Sequence, residues 1–202
     1  VIPCRRGTPY LYQGEEIGMT NAGFTDLSQY RDVESLNHFQ ILRDKGMSQE
    51  SAYNILKVHS RDNARTPMQW DSSQNGGFTR GTPWIGINPN YQTINAAAQT
   101  GDPDSIFSYY KSLIRLRKEY GVISQGDFTP LDPQPPCVLA YRRSWEGTEL
   151  LCVSNFYRKP CTWKCPVDLE GYQVLLANYP DSKPEPEMEL RPYESMLFLR
   201  RN

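Results

Sequence analysis

Nowhere in the 202 residues is there an apolar run approaching the roughly 20 residues that span a bilayer, so no membrane-crossing helix is expected. Nor is there a run of five or six like charges. Lys and Arg number 22 against 23 Asp and Glu, a net charge of −1. A chain so balanced lacks the basic face that nucleic acid or an anionic membrane surface selects, and neither is expected as a partner. Histidine is scarce: His38 and His59 are the only two, both far from the closely spaced thiols Cys161 and Cys165. That is poor zinc spacing, and no metal is assigned. The five cysteines, Cys4, Cys137, Cys152, Cys161 and Cys165, are scattered and odd in number. They suit a reducing cytoplasm better than a disulfide framework. No internal repeat is visible. The chain opens on Val1 and not on Met, with nothing resembling a secretion signal, so a fragment or a processed chain is expected.

What the sequence has in quantity is aromatic and turn-forming residues: 13 Tyr, 4 Trp, 16 Pro and 14 Gly, within a composition that is 38% hydrophobic and so able to form a packed core. After Gly7-Thr8-Pro9, the run Tyr10-Leu11-Tyr12 reads as a short buried strand, with Gly14-Glu15-Glu16 just past its end. From Ser35 the pattern is helical, with Leu36, Phe39 and Ile41-Leu42 assigned to one face. Gly46 breaks it, and Ser48 starts a second helix with Ile55-Leu56 on its apolar face. Arg61 to about Tyr91 is loop-like, but Trp70, Phe78, Trp84 and Tyr91 argue that it is ordered. Asp104-Ser105 then caps a helix carrying Ile106, Phe107, Tyr110, Leu113, Ile114 and Arg117 at helical spacing, which Gly121 stops. Beyond Gly121 the texture changes. Val138–Arg142 and Glu149–Asn155 form a hairpin across Trp145-Glu146-Gly147-Thr148. Short strands follow at Thr162-Trp163, Val174–Leu176 and Met196–Leu199, a pattern that predicts an antiparallel β-sandwich.

Three charged clusters invite a chemical reading. Glu15 and Glu16 are neighbours, and neighbours in an extended segment face opposite ways, so they cannot flank one glycosidic bond. One is expected in a buried ion pair and the other in solvent. In Tyr30-Arg31-Asp32-Val33-Glu34 the acids read first as a helix N-terminus favoured by the macrodipole, and second as a carboxylate offered to a sugar hydroxyl. The most informative run is His59-Ser60-Arg61-Asp62-Asn63-Ala64-Arg65-Thr66-Pro67-Met68-Gln69-Trp70-Asp71, with two Arg and two Asp about a turn. Guanidinium groups offer forked donors to carboxylates and to paired hydroxyls, so the cluster is either an ion-pair lock on a loop or a sugar grip. His59 with Asp62 is rejected as a base dyad, because no nucleophilic Ser or Cys accompanies it in a recognisable motif.

These residues resemble glycoside hydrolase family 13, the α-amylase family, in its oligo-1,6-glucosidase, α-glucosidase and trehalose-6-phosphate hydrolase group, which also holds dextran glucosidases and sucrose isomerases. Gly7 to Met19 looks like the eighth barrel strand of that family. Tyr30–Asn37, Arg61–Asp71, Ser105–Tyr120 and Leu190-Arg191-Pro192-Tyr193-Glu194 follow in the family's order, so the resemblance covers essentially the whole chain. It implies an α/β plus all-β architecture: the last strand, a long insertion and the last helix of a (β/α)8 TIM barrel over residues 1–122, then an antiparallel β-sandwich C-terminal domain over 123–202. A full barrel takes roughly 250 residues and does not fit here.

The resemblance also implies that the nucleophilic Asp, the acid/base Glu and the Asn-His-Asp stabiliser lie upstream. Neither His here is followed by Asp, and no catalytic residue is assigned to this chain. Two substrate-binding residues carry over: Arg61, which helps close the pocket around the non-reducing-end glucose, and Glu34, which borders the next subsite. The implied activity is that of a retaining, exo-acting α-glucosidase on an oligosaccharide or disaccharide, completed by the N-terminal part of the same enzyme and needing no organic cofactor. Ala64 favours an oligo-1,6-glucosidase over a trehalose-6-phosphate hydrolase. A reading from a different class is a non-catalytic sugar-binding module, which would line up Tyr141, Trp145, Trp163 and Tyr172 as an exposed row.

Overall fold

A computed structural model describes residues 2–131 and 136–201; Val1, on which a fragment was expected, lies outside them. The chain divides into two compact units, Leu11–Tyr110 and a second that joins the first ten residues to Lys111–Asn202.

The Leu11–Tyr110 unit is built on two helices, α1 (Val33–Asp44) and α2 (Gln49–His59). Their starts are set by side chains. Asp32 accepts from the Ser35 amide and Ser48 from the Ser51 amide, each satisfying a donor that the first helical turn leaves unpaired. Phe39 on α1 and Ala52 and Leu56 on α2 enclose a core with Ala22, Phe24, Tyr30 and Ile85, and Leu36 and Leu42 pack at its edge. Ile41, expected on that face, is exposed: it is two positions on from Phe39, and two positions turn a helix about 200°. From Arg61 onward the chain is irregular, held by short 3-10 turns and by α3 (Ala96–Thr100). Its order comes from buried polar anchors. Gln69 is fully buried and donates to Asn90 Oδ1 at 3.1 Å, and Ala96 and Ala97 return amides to the carbonyls of Gln69 and Trp70. The aromatics Trp70, Phe78 and Trp84 are themselves exposed.

The segment Tyr10-Leu11-Tyr12 is not a strand in this structure. It carries no ladder and its side chains are exposed, Tyr10 at 88% and Tyr12 at 57%. A parallel barrel strand exists only between partners, and among the described residues none pairs with it.

The other unit holds the expected antiparallel sandwich. Its larger sheet runs in the order β1 (Asp127–Pro130), β2 (Val138–Trp145), β3 (Thr148–Asn155), β7 (Ser195–Arg201), β5 (Gln173–Ala177); β4 (Cys161–Lys164) pairs with β6 (Glu187–Leu190) in the smaller one. The β2–β3 hairpin turns on Glu146 and Gly147, both at positive φ (45° and 73°), the backbone of a two-residue turn that matches strand twist. One face of the larger sheet presents Val138, Ala140, Leu151, Val153, Met196 and Phe198 to Trp163, Met188 and Leu190 of the smaller. Its other face is buried too, through Tyr141, Arg143, Leu150, Cys152 and Leu197, and α5 (Gly121–Ser124) packs against β2 and β3. From the end of α4 (Ile106–Glu119), Arg117 donates to the carbonyls of Pro3, Arg5 and Gly7, fastening the opening residues to that helix.

That double burial corrects the exposed aromatic row. Tyr141, Trp163 and Tyr172 are core residues, which leaves Trp145, 37% exposed, as the one member of the row at the surface. Tyr172 reaches out of the core just far enough for its hydroxyl to meet Glu149 at 2.8 Å.

Candidate functional site

The two residues singled out by resemblance come together in the Leu11–Tyr110 unit. Arg61 opens a 3-10 turn, Arg61–Ala64, that begins directly after α2 and is capped by Ser60. Glu34 lies in the first turn of α1. Their guanidinium and carboxylate form an ion pair, and Arg61 Nη2 also lies 3.3 Å from Asp32 Oδ1. Both partners of the Arg61–Glu34 pair are open to solvent, at 58% and 75% exposure, so the pair is displaceable.

Behind this exposed pair lie two buried carboxylates, which share the partly exposed Arg65. Asp32, the cap of α1, accepts from Arg65 Nη1 at 3.2 Å as well as from the Ser35 amide and hydroxyl. The Ser35 hydroxyl does most to hold its carboxyl below the ordinary range, with help from the Ser35 amide, Arg61 and Arg65, and together they outweigh burial. Asp62 is fully buried. One of its oxygens accepts from the amides of Arg31 (2.6 Å) and Asp32 (2.9 Å), and the other faces Arg65 at 3.6 Å. The cluster thus has two layers, an exposed Arg61–Glu34 pair and, beneath it, the buried carboxylates of Asp32 and Asp62. Asp62 was the residue underrated: in sequence it is one charge among four, with nothing to mark its burial. Asp71 stands apart from the cluster and caps the Ser73 turn instead.

The turn's remaining residues build a cleft. Tyr12, Gln13, Glu15, Thr20, Asn63 and Thr66 line about 310 Å³, with Arg61 and Glu34 outside it. Asn63 is fixed through Oδ1 by the Ala22 amide at 3.0 Å, and the Tyr12 hydroxyl donates to the Ala64 carbonyl at 2.7 Å. The expectation for Glu15 and Glu16 needs correcting. They sit in a 3-10 turn, not an extended segment, and among the described residues neither makes a buried ion pair. Glu15 accepts from the Tyr110 hydroxyl at 2.6 Å. Burial first, then Glu15, raises the Tyr110 phenol well above its usual range.

No His, Cys, Asp or Glu side chains among the described residues converge as a metal-binding set, and no helix there is long and apolar enough to cross a membrane. All five cysteines are free thiols.

Comparison with known proteins gives a consistent picture. Residues 1–126 match the family model "Alpha amylase, catalytic domain". The chain is 45% identical over 202 residues to the trehalose-6-phosphate hydrolase of Escherichia coli K12, covering 100% of this chain and 37% of that protein. It is 42% identical over 206 residues to the oligo-1,6-glucosidase of Halalkalibacterium halodurans, with the same coverage of each. Among solved structures, the trehalose-6-phosphate hydrolase of Bacillus licheniformis superposes with a TM-score of 0.94 at 44% identity, over 100% of this chain and 37% of that one. The chain thus spans about 37% of the length of the curated relatives it matches.

Proposed function

The chain belongs to the α-amylase family of glycoside hydrolases, and we propose that it is the C-terminal part of a retaining, exo-acting α-glucosidase of the oligo-1,6-glucosidase type. In this reading residues 1–122 complete the (β/α)8 barrel and 123–202 form the terminal sandwich. The substrate is a short oligosaccharide or disaccharide with an α-glucosidic bond at its non-reducing end. Arg61 grips the terminal glucose, and Glu34 borders the leaving-group side.

The observation that carries this reading is the exposed Arg61–Glu34 pair mounted over the buried carboxylates of Asp32 and Asp62. A guanidinium whose counter-ion is displaceable has donors to spare for adjacent sugar hydroxyls, and a fixed turn keeps them aimed. The two carboxyls that cleave the bond sit on the remaining N-terminal part of the protein. There one attacks the anomeric carbon to form a glycosyl-enzyme. The other protonates the leaving oxygen and then activates water, so the released glucose keeps its α configuration. The same N-terminal part supplies the strands that flank Tyr10–Tyr12. A reducing cytoplasm fits five free thiols.

A second reading, a trehalose-6-phosphate hydrolase, has 45% identity to a protein of that name in its favour. The lining of the cleft speaks for an uncharged sugar: its one charged side chain is the acidic Glu15. The test is full-length enzyme presented with isomaltose and with trehalose 6-phosphate, the first product followed by proton NMR. Release of α-glucose from isomaltose is expected. Release of the β anomer, or turnover of the phosphorylated sugar alone, overturns the reading.

A further inference from the structure

We infer that Asp62 is a positioning residue for the sugar grip, fixing the backbone and the counter-ion against which Arg61 is held. The inference rests on the reading of Arg61 and Glu34 as substrate contacts.

Asp62 is fully buried, so no substrate atom touches it. Burying a carboxylate is costly unless it is paired and hydrogen-bonded, and a loop lock alone could use a neutral side chain. What this carboxylate does is span two elements. Its own turn carries Arg61. Through Oδ2 it takes the amides of Arg31 and Asp32, at 2.6 Å and 2.9 Å, and so pins the residue that caps α1 and is the inner counter-ion of Arg61. Its Oδ1 has no hydrogen bond and lies 3.6 Å from Arg65 Nη1, the same nitrogen that reaches Asp32 at 3.2 Å. Arg65 is thereby held between two carboxylates. Arg61 keeps one direction open, toward the exposed Glu34.

The hydroxyls complete the frame. Ser60 Oγ accepts from the Asp62 amide at 3.2 Å and donates to Ser35 Oγ at 3.1 Å, which leaves the Ser35 hydroxyl proton for Asp32. The start of α1 and the turn after α2 therefore share one buried polar seam, with Asp62 as its most deeply buried member. A displaced seam moves Arg61 relative to the sugar, and small misplacements of a positioning group are expensive for turnover.

A double-mutant cycle in the full-length enzyme tests this, with kcat and KM on isomaltose for wild type, Arg61→Ala, Asp62→Asn and the double variant. Asp62→Asn keeps the side chain's shape and an oxygen for the two amides but turns an NH2 toward Arg65. It is expected to lower kcat/KM roughly tenfold alone, chiefly through KM, and by less than about twofold once Arg61 is already Ala. The thermal midpoint should fall by the same amount in both backgrounds, because stability does not depend on the grip. If Asp62→Asn folds poorly, Ser60→Ala, which removes the capping hydroxyl and leaves every carboxylate in place, gives the same cycle. Equal losses of kcat/KM in both backgrounds would make Asp62 a fold residue only and overturn the inference. An Arg61→Ala enzyme of unchanged KM would instead bring down the substrate reading beneath it.

Discussion

Asp32 and Arg65, 33 residues apart in sequence, meet at 3.2 Å, and Asp62 closes on the same guanidinium nitrogen from the other side at 3.6 Å. The helix that starts at Asp32 and the turn that follows α2 are joined there by charge, through two buried carboxylates and one partly exposed guanidinium.

This junction sets an acid limit. The carboxyl of Asp32 is held below its ordinary value, first by the Ser35 hydroxyl. A depressed carboxyl contributes stability that is present above the ordinary carboxylate range and lost as pH falls through the lower native value. The thermal midpoint should therefore hold near neutrality and drop below about pH 4. Asp32→Asn should flatten part of that drop. A variant with the same acid profile as wild type would remove Asp32 from the account.

In the terminal module, Glu194 is the buried partner of Arg191, accepting from its guanidinium at 2.7 Å, from its amide at 2.8 Å and from the Ser182 hydroxyl at 2.6 Å. Burial pushes its carboxyl up, but Arg191 and Ser182 together outweigh that and hold it low. Glu194→Ala should cost about 2–3 kcal/mol by urea titration, since it strands donors in a half-buried site. A loss under about 0.5 kcal/mol would mean that solvent replaces the pair.

Gly121 opens α5 beneath the indole of Trp145, where an added Cβ would collide with the ring. Gly121→Ala should destabilise by about 1–3 kcal/mol, and Trp145→Leu in the same chain should restore most of it. Failure of the second change to rescue the first would place the strain elsewhere.

The sheet buried on both faces makes a paired prediction. Leu151, wholly buried against the smaller sheet, should lose about 2–5 kcal/mol on truncation to Ala. Leu139, on the same sheet but 37% exposed, should lose under about 1 kcal/mol. Equal losses would contradict the layering.

What was legible in the sequence was whatever local chemistry decides. Ser48 and Ser105 mark helix starts because their hydroxyls cap them, accepting the Ser51 and Ser108 amides. Glu146-Gly147 marks the hairpin because the turn needs left-handed backbone. Partners distant in sequence were not legible. The strand β6 is hidden in the acidic run Glu185–Leu190, where only Met188 and Leu190 face the core. Tyr141, Trp163 and Tyr172 looked like a sugar platform because nothing local says that the first lies under a second covered face and the other two point into the core between the sheets. Asp62 looked like a surface charge because its amide partners lie 30 and 31 residues away. Tyr10–Tyr12 reads as a strand and carries no ladder here, since a parallel strand's hydrogen bonds belong to its neighbours.

The most direct measurement is the Michaelis constant of full-length Arg61→Ala enzyme on isomaltose. Loss of a charged, forked contact worth about 1.5–3 kcal/mol should raise KM by roughly one to two orders of magnitude, with the thermal midpoint nearly unchanged. A variant that turns over with wild-type kcat and wild-type KM would contradict the claim that this exposed guanidinium holds the sugar.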